Sequence, residues 1–498
     1  MNSDTAELAI ADPPGELVGA LGGSTARGEA ARHAHRRREA RRRQSLRERV
    51  RAVWAADPAR ALAVRDCWRA LWSSRLLIWL AGAVTLSTYG SGPVRHAFNP
   101  AGLTRGLGWL GNALAAPAAR WDAAWYLVIA RYGYRPDLGP YTSSRDAFFP
   151  LYPLAVRAIG ASGVPLVLAG VLVSIAALAL ALYGIHRLTT LELGGATARA
   201  RQSLSARARP VASSPASVAR LAVLVTAFAP MAFFLSAAYS ESLYLALSVG
   251  LFYAARRGRF LTAGALAALA AATRSAGVVL LLPALMLYVY GPREDRRPDF
   301  ARARGLAPRY RLRKDALWLA LAPLGLLAYM LYLSLAGGDA LAPFHAQDVW
   351  GRHFAGPYVG AFDGLRAAFD GARQLISAQQ RHLYFPAGGG SAFVASEHTL
   401  LLLAFLLAGA AALVGVLRAL PLAYGAYVIA ALALPLSYPV TSQPLMSLPR
   451  FLVVLFPLGI WFAAWLAEHP RAQRPALVCS GLLLAFFTAE FATWHWVA

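Results

Sequence analysis

Apolar runs recur along this chain from Leu76 to Trp496, and most are long enough to cross a bilayer. A helix rising 1.5 Å per residue needs about 20 apolar residues to span the hydrocarbon core. On that measure spans fall near 75–90, 162–188, 219–239, 242–256, 260–273, 276–291, 315–336, 398–417, 420–438, 450–467 and 475–495. The pattern predicts an all-α, polytopic transmembrane protein of about 11 spans. The pair 260–273 and 276–291 is short and reads either as a broken helix or as a re-entrant pair. Two connecting segments, 91–161 and 337–397, exceed what a turn requires, and long ordered segments in compact proteins are usually functional. The first holds one apolar stripe around Leu107, Trp109 and Leu114 and another at Trp121, Trp125, Leu127 and Ile129. With few charges between them, these stripes predict short helices lying in the membrane interface.

Composition agrees. Hydrophobic residues make up 57% and charged residues 15%, against about 25% charged in a soluble globular chain. Disordered, collagenous, coiled-coil and ordinary cytosolic classes are excluded. The net charge is +24, and Lys314 is the only lysine. If residues 1–75 lie inside, 36 of the 49 basic residues fall on the inner side, which obeys the positive-inside rule and puts the two long segments outside. Residues 1–74 read as a basic, largely disordered cytoplasmic tail and 75–498 as the transmembrane domain. The tail carries Arg36-Arg37-Arg38 and Arg41-Arg42-Arg43 without interleaved aromatics, so anionic lipid suits it better than nucleic acid. It is no secretory signal, because the first strong apolar run begins near Leu76. Cys67 and Cys479 are too far apart in the chain to build a disulfide framework or a metal cluster.

Five constellations could carry chemistry. The first is Arg120-Trp121-Asp122-Ala123-Ala124-Trp125-Tyr126. Asp122 could simply cap the helix that follows. The fourth residue of a capping box would be Trp125 rather than Glu or Gln. Flanked by Arg120 and by aromatic rings, a half-dry carboxylate also fits a general base. The second, Asp146 to Pro153, offers Asp146 as a second carboxylate and Phe149 as part of a shaped wall, or else an aromatic belt with two helix breakers. The third, Ser236 to Ser242, contains Tyr239 and Glu241; it is either a tight helix–helix turn or a wet site, since a charge in mid-membrane is costly. The fourth places Arg274 between apolar segments, where it must pair, for example with Glu241, or face an anion such as a lipid phosphate. The fifth gathers His345, Gln347, Asp348, Trp350, Arg352 and His353 in the second outer segment; Gln347 and Trp350 supply the hydrogen-bonding group and ring face that a sugar needs, although a solvated loop explains most of these residues. Arg450, at the outer start of a span, is a further phosphate partner or an interface anchor. No HExxH, CxxC or P-loop occurs, so zinc and nucleotide hydrolysis lack their signatures.

The motifs Arg120-Trp121-Asp122…Trp125-Tyr126…Gly133-Tyr134, Phe148-Phe149-Pro150…Pro153, Ser236-Ala237-Ala238-Tyr239-Ser240-Glu241-Ser242 and Arg274-Ser275, in this order, resemble the GPI mannosyltransferase II family (phosphatidylinositol-glycan class V). The resemblance runs from about residue 75 to 470. It implies the GT-C superfamily fold, a polyprenyl-phosphate mannose donor used on the non-cytoplasmic face, inverting transfer without a nucleotide sugar or other cofactor, and Asp122 as the catalytic carboxylate. Ala276 stands where eukaryotic members commonly carry Asn. The arginine-for-lysine bias points to a bacterial plasma membrane, where no GPI anchor is expected, so the acceptor does not carry over; it could be a glycolipid, a polysaccharide or a protein. Two other classes compete. A lipid-linked sugar flippase would share the intramembrane charge, though transporters often show repeated halves and none is seen here. A non-catalytic membrane scaffold would not need the intact Trp121-Asp122 motif.

Overall fold

Proline interrupts several of the expected spans, and the breaks it makes shape the molecule. The computed structural model describes residue 48 and residues 57–94, 97–134, 143–194, 214–299, 307–379 and 391–498. The rest of the basic tail lies outside the described residues. Among the described residues seventeen α-helices run in order: α1 (Pro58–Tyr89), α2 (Gly108–Leu114), α3 (Ala123–Tyr132), α4 (Leu151–Gly160), α5 (Leu166–Gly194), α6 (Pro215–Ala227), α7 (Glu241–Arg256), α8 (Phe260–Ala271), α9 (Leu281–Tyr290), α10 (Leu324–Gly337), α11 (Ala342–His345), α12 (Pro357–Ser377), α13 (Ala392–Ala419), α14 (Leu422–Leu436), α15 (Leu448–Val453), α16 (Phe456–Glu468) and α17 (Pro470–Ala492). No strand occurs among the described residues beyond two isolated bridges. Among the described residues five helical stretches are long and apolar enough to cross a membrane: α1, α5, Lys314–Gly337, α13 and α17; six shorter apolar helices accompany them. Residues 63–498 form one helical unit. The first apolar run belongs to a longer helix than expected: α1 begins at Pro58, takes in Cys67 and passes through residue 74.

The stretch 219–239, expected as one span, is broken. Pro230 has no N–H to donate and biases the preceding residue away from the helical region, so α6 stops at Ala227 and a 3-10 turn follows at Ala232–Leu235. The carbonyls freed by the break need donors, since an unpaired polar group in an apolar interior costs several kcal/mol. Arg75 of α1 supplies them. Fully buried, its Nη2 donates to the Ala227 carbonyl at 3.0 Å and its Nη1 to the Ala232 carbonyl at 2.8 Å and to Ser236 Oγ at 3.0 Å. A second break separates α8 from the 3-10 turn Ser275–Leu280, with Arg274 extended between them. There the Ala272 carbonyl accepts the Leu151 N–H at 3.0 Å. The expected span 450–467 is likewise split into α15 and α16 before Pro457.

Small residues let the helices approach closely, the usual device where lipid supplies no hydrophobic drive between helices. A Cβ at Gly325 would lie 1.9 Å from the Ala268 carbonyl oxygen and one at Gly264 2.0 Å from that of Trp318. The two stripes expected as interfacial helices behave differently. In α2 Trp109 is 85% exposed, as an interfacial helix requires. Residues 123–130 of α3 are all buried; a segment apolar all round goes inside.

Arg75→Met leaves carbonyls of the first break without donors. It should lower stability by about 1–3 kcal/mol for each carbonyl stranded, read as a fall in the melting temperature of the protein in detergent. An unchanged melting temperature would mean that Arg75 does not hold the break.

Candidate active site

The broken ends of the helices converge on a cavity of about 780 Å³, within the usual range for ligand pockets. Asp122, Arg274, Arg352 and Arg450 line it, with Trp125, Phe148 and Trp350 among its aromatic rings.

Asp122 occupies the N-cap position of α3, yet its side chain makes no capping bond. The carboxylate turns instead to Arg450, whose Nη1 donates to Oδ2 at 2.6 Å. About 23% of the Asp122 side chain is exposed. The residue before it, Trp121, sits at φ 56°, in the left-handed region that side-chain-bearing residues seldom adopt. Its ring packs edge-on against Trp494 and Trp496, with centroids 5.9 and 5.4 Å away.

Glu241, in the first turn of α7, is 1% exposed. One of its oxygens, Oε1, lies 3.2 Å from Arg274 Nη1 and 3.3 Å from Arg450 Nε. Arg450 is therefore shared by two carboxylates. It is also ringed by Phe234, Tyr239, Phe451 and Trp496, its guanidinium carbon 5.4–5.8 Å from each centroid. Burial, with repulsion from Arg450, pushes the Arg352 guanidinium down to about 10, while Asp122 draws it back up; it stays charged at neutral pH. Three guanidinium groups against two carboxylates leave one net positive charge, which suits an anion. Beside them the rings of Phe98, Trp125, Phe148 and Trp350 form a continuous wall, with successive centroids 4.5, 6.0 and 5.9 Å apart.

Of the residues singled out from sequence, Asp122, Trp121, Trp125, Tyr126, Phe149, Arg274, Gln347, Trp350 and Arg450 line the cavity. Arg120, Asp146, Tyr239 and Glu241 do not. Arg120 is drawn the other way, stacked 4.5 Å over Trp494 with Nε donating to the Ala492 carbonyl at 3.3 Å. Tyr239 is fully buried behind Asp122, and Glu241 sits behind the arginines. The Asp146 backbone carbonyl accepts from Tyr329 Oη at 3.0 Å. Its carboxyl is pushed up to about 6, chiefly by burial and further by Asp339, against the pull of Arg145. Arg352, Tyr244, Gln443 and Trp496 also line the cavity without having been chosen from sequence. Arg352 was visible only as one polar residue among several in its loop, and Trp496 as the end of an apolar run. Among the described residues no group of three or more potential metal ligands occurs.

Long apolar helices mark an integral membrane protein, and the aromatic-walled cavity lined by Asp122 and three arginines is its candidate ligand site. Residues 84–288 match the model of the mannosyltransferase (PIG-V) family. The matched segment contains the motifs on which the resemblance rests, and the match supports a membrane mannosyltransferase. The match takes in Asp122, Tyr239, Glu241 and Arg274, whereas Arg352 and Arg450 fall beyond it. No curated protein matches the chain.

Asp146 gives the structure a pH signature. The folded chain holds this proton more tightly than the unfolded one, so stability declines as pH rises from about 4 to about 6. Asp146→Asn removes that slope: its melting temperature should gain on wild type between about pH 4 and about pH 7. A gap that does not change with pH would show that Asp146 titrates normally.

Proposed function

We propose that the protein transfers mannose from a polyprenyl-phosphate donor to an acceptor hydroxyl, with inversion, on the non-cytoplasmic face of the membrane. The observation that carries this reading is the Asp122–Arg450 pair, 2.6 Å long and open to the cavity, with Asp122 inside the segment that matches the mannosyltransferase family and Arg450 brought to it from beyond that segment. A base for the acceptor and a cation for the leaving phosphate stand side by side.

In this reading the donor phosphate enters among Arg450, Arg274 and Arg352. Arg450 then shares its charge with the phosphate, and the Asp122 carboxylate is released to accept a proton. Asp122 takes that proton from the acceptor hydroxyl. The oxygen forms a bond to the anomeric carbon from the face opposite the phosphate, and the bond from that carbon to the phosphate oxygen breaks. Polyprenyl phosphate leaves with the electron pair, its charge met by guanidinium groups already in place. Holding both reactants together removes roughly 7–11 kcal/mol of barrier in well-oriented systems. The wall from Phe98 to Trp350 offers faces for the sugar ring or the first prenyl unit. The lipid-linked sugar is a co-substrate, and the acceptor is a glycolipid, polysaccharide or protein hydroxyl of the cell envelope.

The test supplies radiolabelled polyprenyl-phosphate mannose and a membrane extract to the purified protein in lipid. Asp122→Asn should remain folded and lose transfer by about 10²–10⁴-fold, the range for a general base. Full activity in this variant would remove Asp122 from the reaction. Donor binding without turnover in the wild type would favour a flippase.

A further inference from the structure

Tyr239 stands apart from every other ring near the cavity because its hydroxyl meets two backbone groups that flank a single residue. Its Oη donates to the Arg120 carbonyl at 2.9 Å and accepts the Asp122 N–H at 3.1 Å. The residue bridged in this way is Trp121, at φ 56°. A phenol can do both jobs at once, since its oxygen is donor and acceptor together. Phenylalanine can do neither.

The bridge is itself firmly held. Tyr239 is 0% exposed and packs against Phe234 at 5.1 Å and Phe491 at 6.2 Å between centroids. The Ala238 N–H donates to the Ala118 carbonyl at 2.8 Å, so the segments 118–122 and 236–240 are joined at two levels. Ser174 Oγ in turn donates to the Ala237 carbonyl at 2.7 Å. Two residues beyond Tyr239, Glu241 faces Arg450, the partner of Asp122. One short segment therefore holds the backbone beneath the carboxylate and the cation opposite it.

We propose that Tyr239 is the positioning residue for Asp122: it pins the left-handed turn at Trp121, and that turn aims the carboxylate into the cavity rather than at the start of α3. Tyr239 touches no cavity space, so it acts through the peptide units around Trp121 and not on a ligand. The catalytic consequence rests on the mannosyl-transfer reading above; the clamp itself does not.

The experiment compares the full chain with Tyr239→Phe in lipid nanodiscs. Both are labelled with 5-fluorotryptophan, and the Trp121 signal among the 13 tryptophans is assigned with Trp121→Phe. The Trp121 fluorine resonance should shift or split in Tyr239→Phe. With polyprenyl-phosphate mannose as donor, kcat should fall about 10- to 100-fold, the scale of a misplaced reacting group, while the donor KM holds within about twofold. An unmoved Trp121 resonance would overturn the clamp. A moved resonance with unchanged kcat, or a raised KM with kcat intact, would overturn its role in positioning Asp122. If the wild type transfers nothing, the mannosyl-transfer reading fails and the fluorine signal still decides the clamp. If Tyr239→Phe does not fold, hydrogen exchange of the Asp122 amide in the wild type decides instead. Slow exchange beside an open cavity is the expected result, and exchange at the free-amide rate would overturn the proposal.

Discussion

A guanidinium shared by two carboxylates in a largely dry site is the constraint on which the rest of this structure depends. Arg450 meets Asp122 at 2.6 Å and Glu241 at 3.3 Å, and its side chain is only 10% exposed. Charges removed from water are tolerated when each has a partner, and removing one partner strands the other at a cost of several kcal/mol. Glu241 could not be buried to 1% without Arg274 and Arg450 on its oxygen. Asp122, Glu241, Arg274 and Arg450 come from four separate breaks or ends of helices, and 328 positions separate the outermost pair. The bundle has to be interrupted in several places for these groups to meet.

Interruption carries its own cost, because each broken turn frees backbone groups in an apolar surrounding. The same kind of answer appears at the breaks after α6 and α8: a side chain or backbone group from elsewhere meets freed carbonyls. Arg75 serves the break after α6, the Leu151 N–H serves the carbonyl of Ala272, and Ser174 serves the carbonyl of Ala237. These bonds bind α1, α4 and α5 to the breaks beside Tyr239, Glu241 and Arg274. Stability of the fold and geometry of the site are thus supplied by one set of contacts, and a buried arginine far from the cavity belongs to that set as much as Arg450 does.

How much of this could be read in the sequence follows from the range of each signal. Hydropathy marks where apolar helices run, and the helical architecture and family domain match that expectation. It does not mark where proline and capping cut a run in two, so 219–239 and 450–467 looked continuous. The motif at Asp122 was legible because its residues are neighbours in the chain. The pairing of Asp122 with Arg450 was not, because nothing local links positions 328 apart. Tyr239, Glu241 and Arg120 were legible as important but not in their orientation: a ring or charge beside a motif has two sides to turn to, and only packing chooses. Tyr239 turned inward to the backbone, Arg120 to Trp494, and Asp146 away from the cavity. Asp122 illustrates the converse. Local sequence left a cap and a base both open; the carboxylate makes no capping bond.

The choice of arginine at position 450 follows from the geometry. A lysine ammonium is a compact point charge, whereas guanidinium spreads five N–H donors over a planar fork. In Arg450 Nη1 donates to Asp122 and Nε lies 3.3 Å from Glu241 Oε1. In the proposed reaction the group keeps facing Glu241 while the other edge of the fork exchanges Asp122 for the donor phosphate. Arg274 Nη1 lies 3.2 Å from the same Glu241 oxygen, so the carboxylate that faces the fork is held from a second side. An ammonium carries its three donors on a single nitrogen, without separate edges set for Glu241 and for a second anion. In the proposed reaction the carboxylate is masked at rest and freed when the donor phosphate binds; a cation of this shape suits that exchange, and the second carboxylate behind it holds the cation in place.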